Sequence, residues 1–280
     1  MARRETANGV AYDPAELDRV ERRFWREIWD SVPAEAAREH GIETREMGQV
    51  QATLAGDLAL LGMMNLILGA PEELAAGGDG LARAAAWARE RGVASYVPVT
   101  PGLAGSEPTE RWLREQAFQP GYTWMKFVRD AHEARFKAPG GVEVVEVERP
   151  DQEPFGMIAA AGFGMPAWAS VFFANLPGRD GWRCYVGRID GRPQACAAIL
   201  IDGDLAEFGI AATLEGGRGR GSQLALLHRR IEDAAAAGCR TLFVETGARE
   251  QGRPAFSYRN ILLAGFEEAF LRPNWQLPID

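Results

Sequence analysis

The chain has 280 residues, 46% of them hydrophobic, and carries 39 acidic against 31 basic side chains for a net charge of −8. That length buries a sizeable core and holds two domains of ordinary size, while the acidic balance argues against a nucleic-acid or anionic-membrane partner, either of which needs a basic face. No apolar stretch resembling a leader opens the sequence and no run of about 18 apolar residues occurs in it, so a cytoplasmic protein with no membrane partner is expected.

Asp13-Pro14 reads as an N-cap with proline at the first helical position, and Leu17, Val20, Phe24 and Ile28 follow at helical spacing to about Asp30, with Trp25 and Trp29 widening the face. A short helix over Pro33–Glu39 ends at Gly41. Strands are expected over 42–50, 51–61 and 63–68, then a loop over 72–80 and a helix over 81–91 that Gly92 closes. Val93–Val99 reads as a strand with Pro98 inside it, which suggests a sheet edge or an interruption of the ladder. A loop, a short helix over 110–116 and a strand over 122–129 complete this half.

Charge and Pro139-Gly140-Gly141 break the periodicity between Asp130 and Gly141, which reads as a linker. Beyond it come a strand over 142–147 and helices over 151–162 and 166–176. Strands over 182–189, 195–201 and 205–213 are joined by Asp190-Gly191 and Asp202-Gly203, hairpin turns that make an antiparallel meander. A helix over 222–237 then crosses to a strand over 240–245, which must run parallel to the strand before the helix. The three cysteines, Cys184, Cys196 and Cys239, are too few and too scattered for a disulfide framework or a zinc site, so buried thiols and no metal are expected.

The two halves echo each other. Helix, Gly92, strand, loop, short helix, Phe118 and final strand are repeated as helix, Gly238, strand, loop, short helix, Phe266 and final strand. The offsets are 238 − 92 = 146 and 266 − 118 = 148. Two fused copies of one α/β unit are therefore expected, each a mixed, mainly antiparallel sheet flanked by helices, divided into residues 1–130 and 142–280.

Only the second copy carries the glycine–arginine turn Arg218-Gly219-Arg220-Gly221-Ser222-Gln223 ahead of its crossover helix. A helix start presents backbone N–H groups without intrahelical partners and a partial positive charge, and glycines let an anion approach them closely. Ser222-Gln223 stands where a nucleoside-triphosphate loop needs Lys-Ser or Lys-Thr, and no G-x-G-x-x-G register fits. The turn, set after a meander and before a crossover helix, resembles the acyl-CoA pyrophosphate loop of the GNAT acetyltransferase superfamily, with Gln223 where that pattern has Gly or Ala. The first copy has the acidic PEELAAGGDG at this place, so it is expected not to bind the cofactor.

The resemblance implies an N-acetyltransferase that moves an acetyl group from acetyl-CoA to the amine of a small molecule or peptide by direct attack in a ternary complex. The alternative is a non-catalytic acyl-CoA-binding or interaction protein. It implies Arg218, Gly219, Arg220, Gly221, Ser222 and Gln223 around the pyrophosphate, and Ile210, Ala211, Ala212 and Thr213 along the pantetheine arm, with a backbone N–H there facing the thioester oxygen. Glu207, eleven residues before Arg218, stands where the resemblance implies a general base. The tyrosine position of the family is Ile261 here, which leaves Tyr258, one turn earlier, as the candidate acid. Asn260 is a candidate for the pantetheine amides, Glu245 for a cationic substrate, and His228 for core packing. Oligomerisation is left open.

Overall fold

The computed structural model describes residues 3–279 apart from 60, 133, 135, 251, 253 and 254. A short pair, β1 (Arg4–Glu5) and β2 (Ala11–Tyr12), precedes α1 (Pro14–Asp30). The Asp13 carboxylate accepts from the Ala15 N–H at 2.9 Å, the cap its sequence predicts. The first half continues with α2 (Ala34–Glu39), β3 (Ile42–Met47), β4 (Val50–Ala55), β5 (Ile67–Leu68), α3 (Ala70–Ala75), α4 (Gly80–Arg91), β6 (Ser95–Pro98), α5 (Ser106–Glu115) and β7 (Gln119–Asp130). The second half runs β8 (Glu143–Val147), α6 (Phe155–Gly162), α7 (Val171–Ala174), β9 (Trp182–Ile189), β10 (Arg192–Asp202), β11 (Leu205–Thr213), α8 (Ser222–Ala236), β12 (Thr241–Gly247), α9 (Phe256–Leu263) and β13 (Glu267–Leu277).

Several local expectations change, among them the strand expected over 51–61, which stops at Ala55 because Gly56–Leu58 forms a 3-10 turn. The segment read as a loop over 72–80 begins inside a helix, because Pro71 sits in the first turn of α3 and Glu72 and Glu73 follow it there. The strand expected over 63–68 shrinks to two residues, since Gly62–Met64 forms a 3-10 turn.

Among the described residues, eight strands form one sheet in the order β6-β13-β7-β12-β11-β10-β9-β8, and β3-β4-β5 form a second. The two sheets touch through one parallel bridge, Leu66 to Tyr96. Strand β6 is the edge that Pro98 requires. The halves are joined by exchange: β7 lies between β12 and β13 of the second half, and β13 lies between β6 and β7 of the first. Gln119 pairs with Gln276 and Glu267 with Val128, and 267 − 119 and 276 − 128 both equal 148. The repeat offset is thus written into the register, and a pseudo-twofold axis passes through the Trp124–Arg272 pair (272 − 124 = 148).

The exchange places α1 of the first half against the second half's sheet. The apolar part of its buried stripe, Leu17, Val20, Phe24, Trp25 and Ile28, joins a core that also takes residues of α6, α7, β9, β10 and β11. On the opposite face, Leu226, Leu227 and Ile231 of α8 pack with Phe208, Val244 and Tyr258. Burying each such aliphatic or aromatic side chain contributes about 1.5–3 kcal/mol, so the face that α1 covers is held as firmly as a domain interior. No helix among the described residues is long and apolar enough to cross a membrane.

Candidate active site

Strand β11 ends at Thr213, a 3-10 turn over Glu215–Gly217 follows, and Arg218–Gly221 leads into α8. Gly219 and Gly221 have φ of 70° and 82°, a left-handed backbone that glycine adopts without strain. The Ser222 hydroxyl donates to the Gly217 carbonyl at 3.1 Å and ties the turn to the helix. Backbone N–H groups of residues 219–224 have no hydrogen-bond partner among the described residues. Arg218 and Arg220 stand exposed at the rim, Arg220 3.4 Å from Asp190. Space is open where a Gly219 side chain would go, whereas a Cβ on Gly221 would meet Pro139 at 2.6 Å.

The corresponding helix start of the first half is filled. Glu73, buried, accepts from the N–H of Gly80 at 2.7 Å and of Gln49 at 2.6 Å. Gly48, Gly78 and Gly80 make room for it: a Cβ on any of them would come within 2.8 Å of its carboxylate oxygens. A glycine cradle for an anion exists in both halves, and in the first it holds the chain's own carboxylate.

Strands β11 and β12 pair in parallel over Leu205–Phe208 and Thr241–Val244 and then separate. A register shift between Cys196 and Ala198 of β10 faces Ile210, whose φ of 52° is costly for a β-branched residue. Beside it, Gly209 admits the Phe24 ring, which a Cβ would meet at 2.3 Å. The gap opens into a cavity of about 240 Å³. On the α8 side its walls include Gln223, Leu227, Arg230, Ser257 and Ile261, and on the α1 side Phe24, Trp25, Ile28, Phe163 and Phe173. Glu207, Ile210, Ala211 and Glu245 line it between the two.

Glu207 and Glu245 belong to a buried group of five charges. Lys126 of β7 lies opposite Glu245 in the β7–β12 register and bonds both Glu245 and Glu21 of α1, the latter at 2.7 Å. Arg272 of β13 bonds the same two carboxylates, Glu245 at 3.2 Å. Burial opposes the ionisation of Glu21, but Arg272 and Lys126 hold its carboxyl down at about 2. Burial, then the Glu21 charge and that of Glu245, push the Glu207 carboxyl well above the usual range despite Lys126 and Arg272. Its Oε2 is buried with no hydrogen-bond partner among the described residues. Burial and the neighbouring carboxylates thus favour the protonated form of Glu207 and raise Glu245 as well, while Arg272 and Lys126 favour the ionised form of Glu21.

Of the expected residues, Glu207, Ile210, Ala211, Gln223 and Glu245 line this cleft, and Arg218 to Ser222 stand at the start of α8. Gln223 turns from the loop toward α9, donating to Ser257 Oγ at 2.9 Å and accepting from Asn260 Nδ2 at 2.8 Å. Ala212 is held under α6, where a Cβ on Gly162 would meet its methyl at 2.4 Å, and Thr213 pairs with Ala195 at the end of β11. Tyr258 is a correction. Its phenol donates to Glu268 at 2.5 Å, its ring packs edge-on to Phe127, and it does not line the cleft. Burial and the Glu268 bond raise it to about 12. His228 stands edge-on to Phe136, the packing role its sequence predicts.

No protein-family model matches the sequence, and no curated protein matches it. Solved structures are similar in fold. A GCN5-related N-acetyltransferase from Kribbella flavida superposes with a TM-score of 0.57 at 17% identity, covering 88% of this chain and 96% of that one. A second, from Sphaerobacter thermophilus, gives 0.57 at 15%, covering 88% and 86%. A tandem GNAT protein from the clavulanic acid biosynthesis pathway gives 0.56 at 17%, covering 84% and 81%. The chain has the GNAT fold, in tandem.

Sequence reading of this tandem GNAT fold misses Glu21, Lys126 and Arg272, and takes Trp25 only as core. The available signal was an ionisable residue inside an apolar strand, as in Trp124-Met125-Lys126-Phe127 and Phe270-Leu271-Arg272. Arg230 was missed too. Fully buried on α8, it donates to the Leu226 and Ala198 carbonyls, both at 3.1 Å, the second at the β10 irregularity, and burial lowers it to about 10.

Proposed function

We propose that the chain transfers an acetyl group from acetyl-CoA to the nitrogen of an amine, with residues 142–280 as the acyl-CoA-binding copy and residues 1–130 as a degenerate one. One observation carries this reading: a strand gap holding a cavity and a buried carboxyl sits beside a helix start whose amides are free, while the matching helix start in the other half is filled by Glu73. The free amides of 219–224, with Arg218 and Arg220, suit a pyrophosphate. Gln223 of α8, held by Asn260 of α9, lines the way, and the backbone N–H groups of Ile210 to Ala212 are the donors for the thioester oxygen. Acetyl-CoA supplies the activated acyl carbon. Glu207, which releases its own proton to solvent as the ammonium ion binds, takes one proton from that nitrogen; the second leaves to solvent as the bond to the acyl carbon forms and the carbon–sulfur bond breaks, and solvent returns a proton to the sulfur. Glu245, held by Lys126 and Arg272, fixes the charge around Glu207.

Thiol release from acetyl-CoA across a panel of amines tests this, with the acetylated product confirmed by mass. Glu207→Gln is expected to lower kcat by about 100-fold or more while leaving acetyl-CoA binding within threefold. A second reading, binding without turnover, is favoured by the turn of Tyr258 toward Glu268, which leaves the cleft without a phenol. Acetyl-CoA binding with no release for any amine would select it.

A further inference from the structure

The α1 wall of the cleft identifies the kind of amine. Glu21, Phe24, Trp25 and Ile28 stand at i, i+3, i+4 and i+7, so one face of α1 presents a carboxylate followed by an apolar strip. Phe163 and Phe173 continue that strip from the second half, and Met63 and Trp124 from the first. The charged end sets three carboxylates, Glu21, Glu207 and Glu245, against two cations, Lys126 and Arg272, so it is balanced only while Glu207 keeps its proton. Glu207, 3% exposed, lines the cavity with Oε2 unbonded. Trp25 is buried there too, its indole N–H likewise without a partner among the described residues.

We infer that the acceptor is a primary amine on an uncharged, apolar body, its nitrogen at Glu207 and its body along Phe24, Trp25 and Ile28. An ammonium ion is the sixth charge: when Glu207 gives up its proton to receive one, the buried group stays neutral. The body meets rings and methylenes, and an apolar cavity of about 150 Å³ already takes a benzene, so about 240 Å³ suits one ring on a short arm. The first half then serves the second, because α1, Met63 and Trp124 form the acceptor wall of its site.

The groups facing Glu207 are Glu21 from α1, Lys126 from β7, Glu245 from β12 and Arg272 from β13; Arg230 of α8 is the cation on the opposite wall. An ammonium ion that binds with loss of the Glu207 proton releases one proton. Its affinity therefore rises about tenfold per pH unit while Glu207 is protonated in the free protein.

This inference uses the acyl-transfer reading only for the fate of the nitrogen, and its test needs no acyl donor. Binding of 2-phenylethylamine and n-octylamine to the whole chain is measured by calorimetry in two buffers of different ionisation enthalpy. 2-Phenylethanol, phenylalanine and 1,4-diaminobutane serve as comparisons. At least one of the two monoamines is expected to bind tenfold tighter than all three comparison compounds, with about one proton released. Glu207→Gln should bring 2-phenylethylamine within threefold of 2-phenylethanol, and Met63→Lys, at the half-buried rim, should weaken the amine and spare the alcohol. Failure of both monoamines to bind overturns the inference. So does tighter binding of phenylalanine, which Arg230 would favour, of the diamine, or of the alcohol, and so does a preference that survives Glu207→Gln. Amine binding without acetyl-CoA binding would instead sink the transferase reading and leave this one standing.

Discussion

The two helix starts at α4 and α8 are the same place in two copies of one unit, and they differ in what answers their free amides. At α4 the chain folds Glu73 into a glycine cradle, and at α8 the amides of 219–224 stay free beside Arg218 and Arg220. The strand pairs behind them differ in the same sense. Leu66 meets Tyr96 in the first half as Ala206 meets Leu242 in the second, offsets of 140 and 146. By those offsets Ile67 and Val99 occupy the places of Glu207 and Glu245. One copy satisfied its own polar groups and became a wall; the other kept them unsatisfied, which is the condition of a site.

Breaking the filled cradle has the largest expected effect. Glu73→Ala removes two charge-assisted hydrogen bonds and strands two N–H groups, a loss of about 3 kcal/mol, read as a lower denaturation midpoint with unchanged acetyl-CoA affinity. A loss under 1 kcal/mol would mean the cradle is incidental. At the open cradle, Gly219→Asp sets a carboxylate among the amides and is expected to weaken acetyl-CoA at least tenfold, about 1.4 kcal/mol. Gly219→Asn has the same shape, tolerates the left-handed backbone, and should stay within threefold of wild type. Equal losses in both would assign the effect to shape rather than charge.

Glu207 makes the charged cleft visible in stability. Below its unfolded value near 4.5 both states hold the proton. Above it, the unfolded chain ionises while the folded protein does not, so wild type loses stability as pH rises toward the folded value. Glu207→Gln has no such loss, and its Tm should gain on wild type from pH 4 to pH 8. A difference that is flat or falls with pH contradicts a protonated Glu207. The smallest effect tests the repeat itself. Ala117 (φ 61°) and Gly265 (φ 82°) are counterparts at the 148 offset, both left-handed before a buried phenylalanine. Ala117→Gly should stabilise by about 0.5–1 kcal/mol and Gly265→Ala should destabilise by about 1 kcal/mol.

Much of the fold was legible where local chemistry settles it. Strands β9 and β11 have the bounds their sequence predicts; the first hairpin turns at Asp190-Gly191 as expected, and the second turns at Gly203-Asp204, one residue past the expected Asp202-Gly203, because Asp202 still pairs with Leu205. The repeat was legible from Gly92, Gly238, Phe118 and Phe266. The exchange of β7 and β13 was not, since in a duplicated chain each final strand suits either copy and no local pattern chooses between them. The loop and Glu207 were legible from spacing along one segment. The group around Glu207 was not: residues 21, 126, 245 and 272 come from four elements that only the exchanged topology brings together. Tyr258 fails for a similar reason, because helical spacing places it on α9 but not which side of α9 faces β13.

The central claim is that one copy binds acyl-CoA and the other cannot. Calorimetric titration of acetyl-CoA into wild type, Gly219→Asp, Gly219→Asn and Glu73→Ala tests it most directly. The expected result is one site per chain, weakened at least tenfold by Gly219→Asp alone. Two sites per chain, no binding to wild type, or binding that survives Gly219→Asp would contradict it.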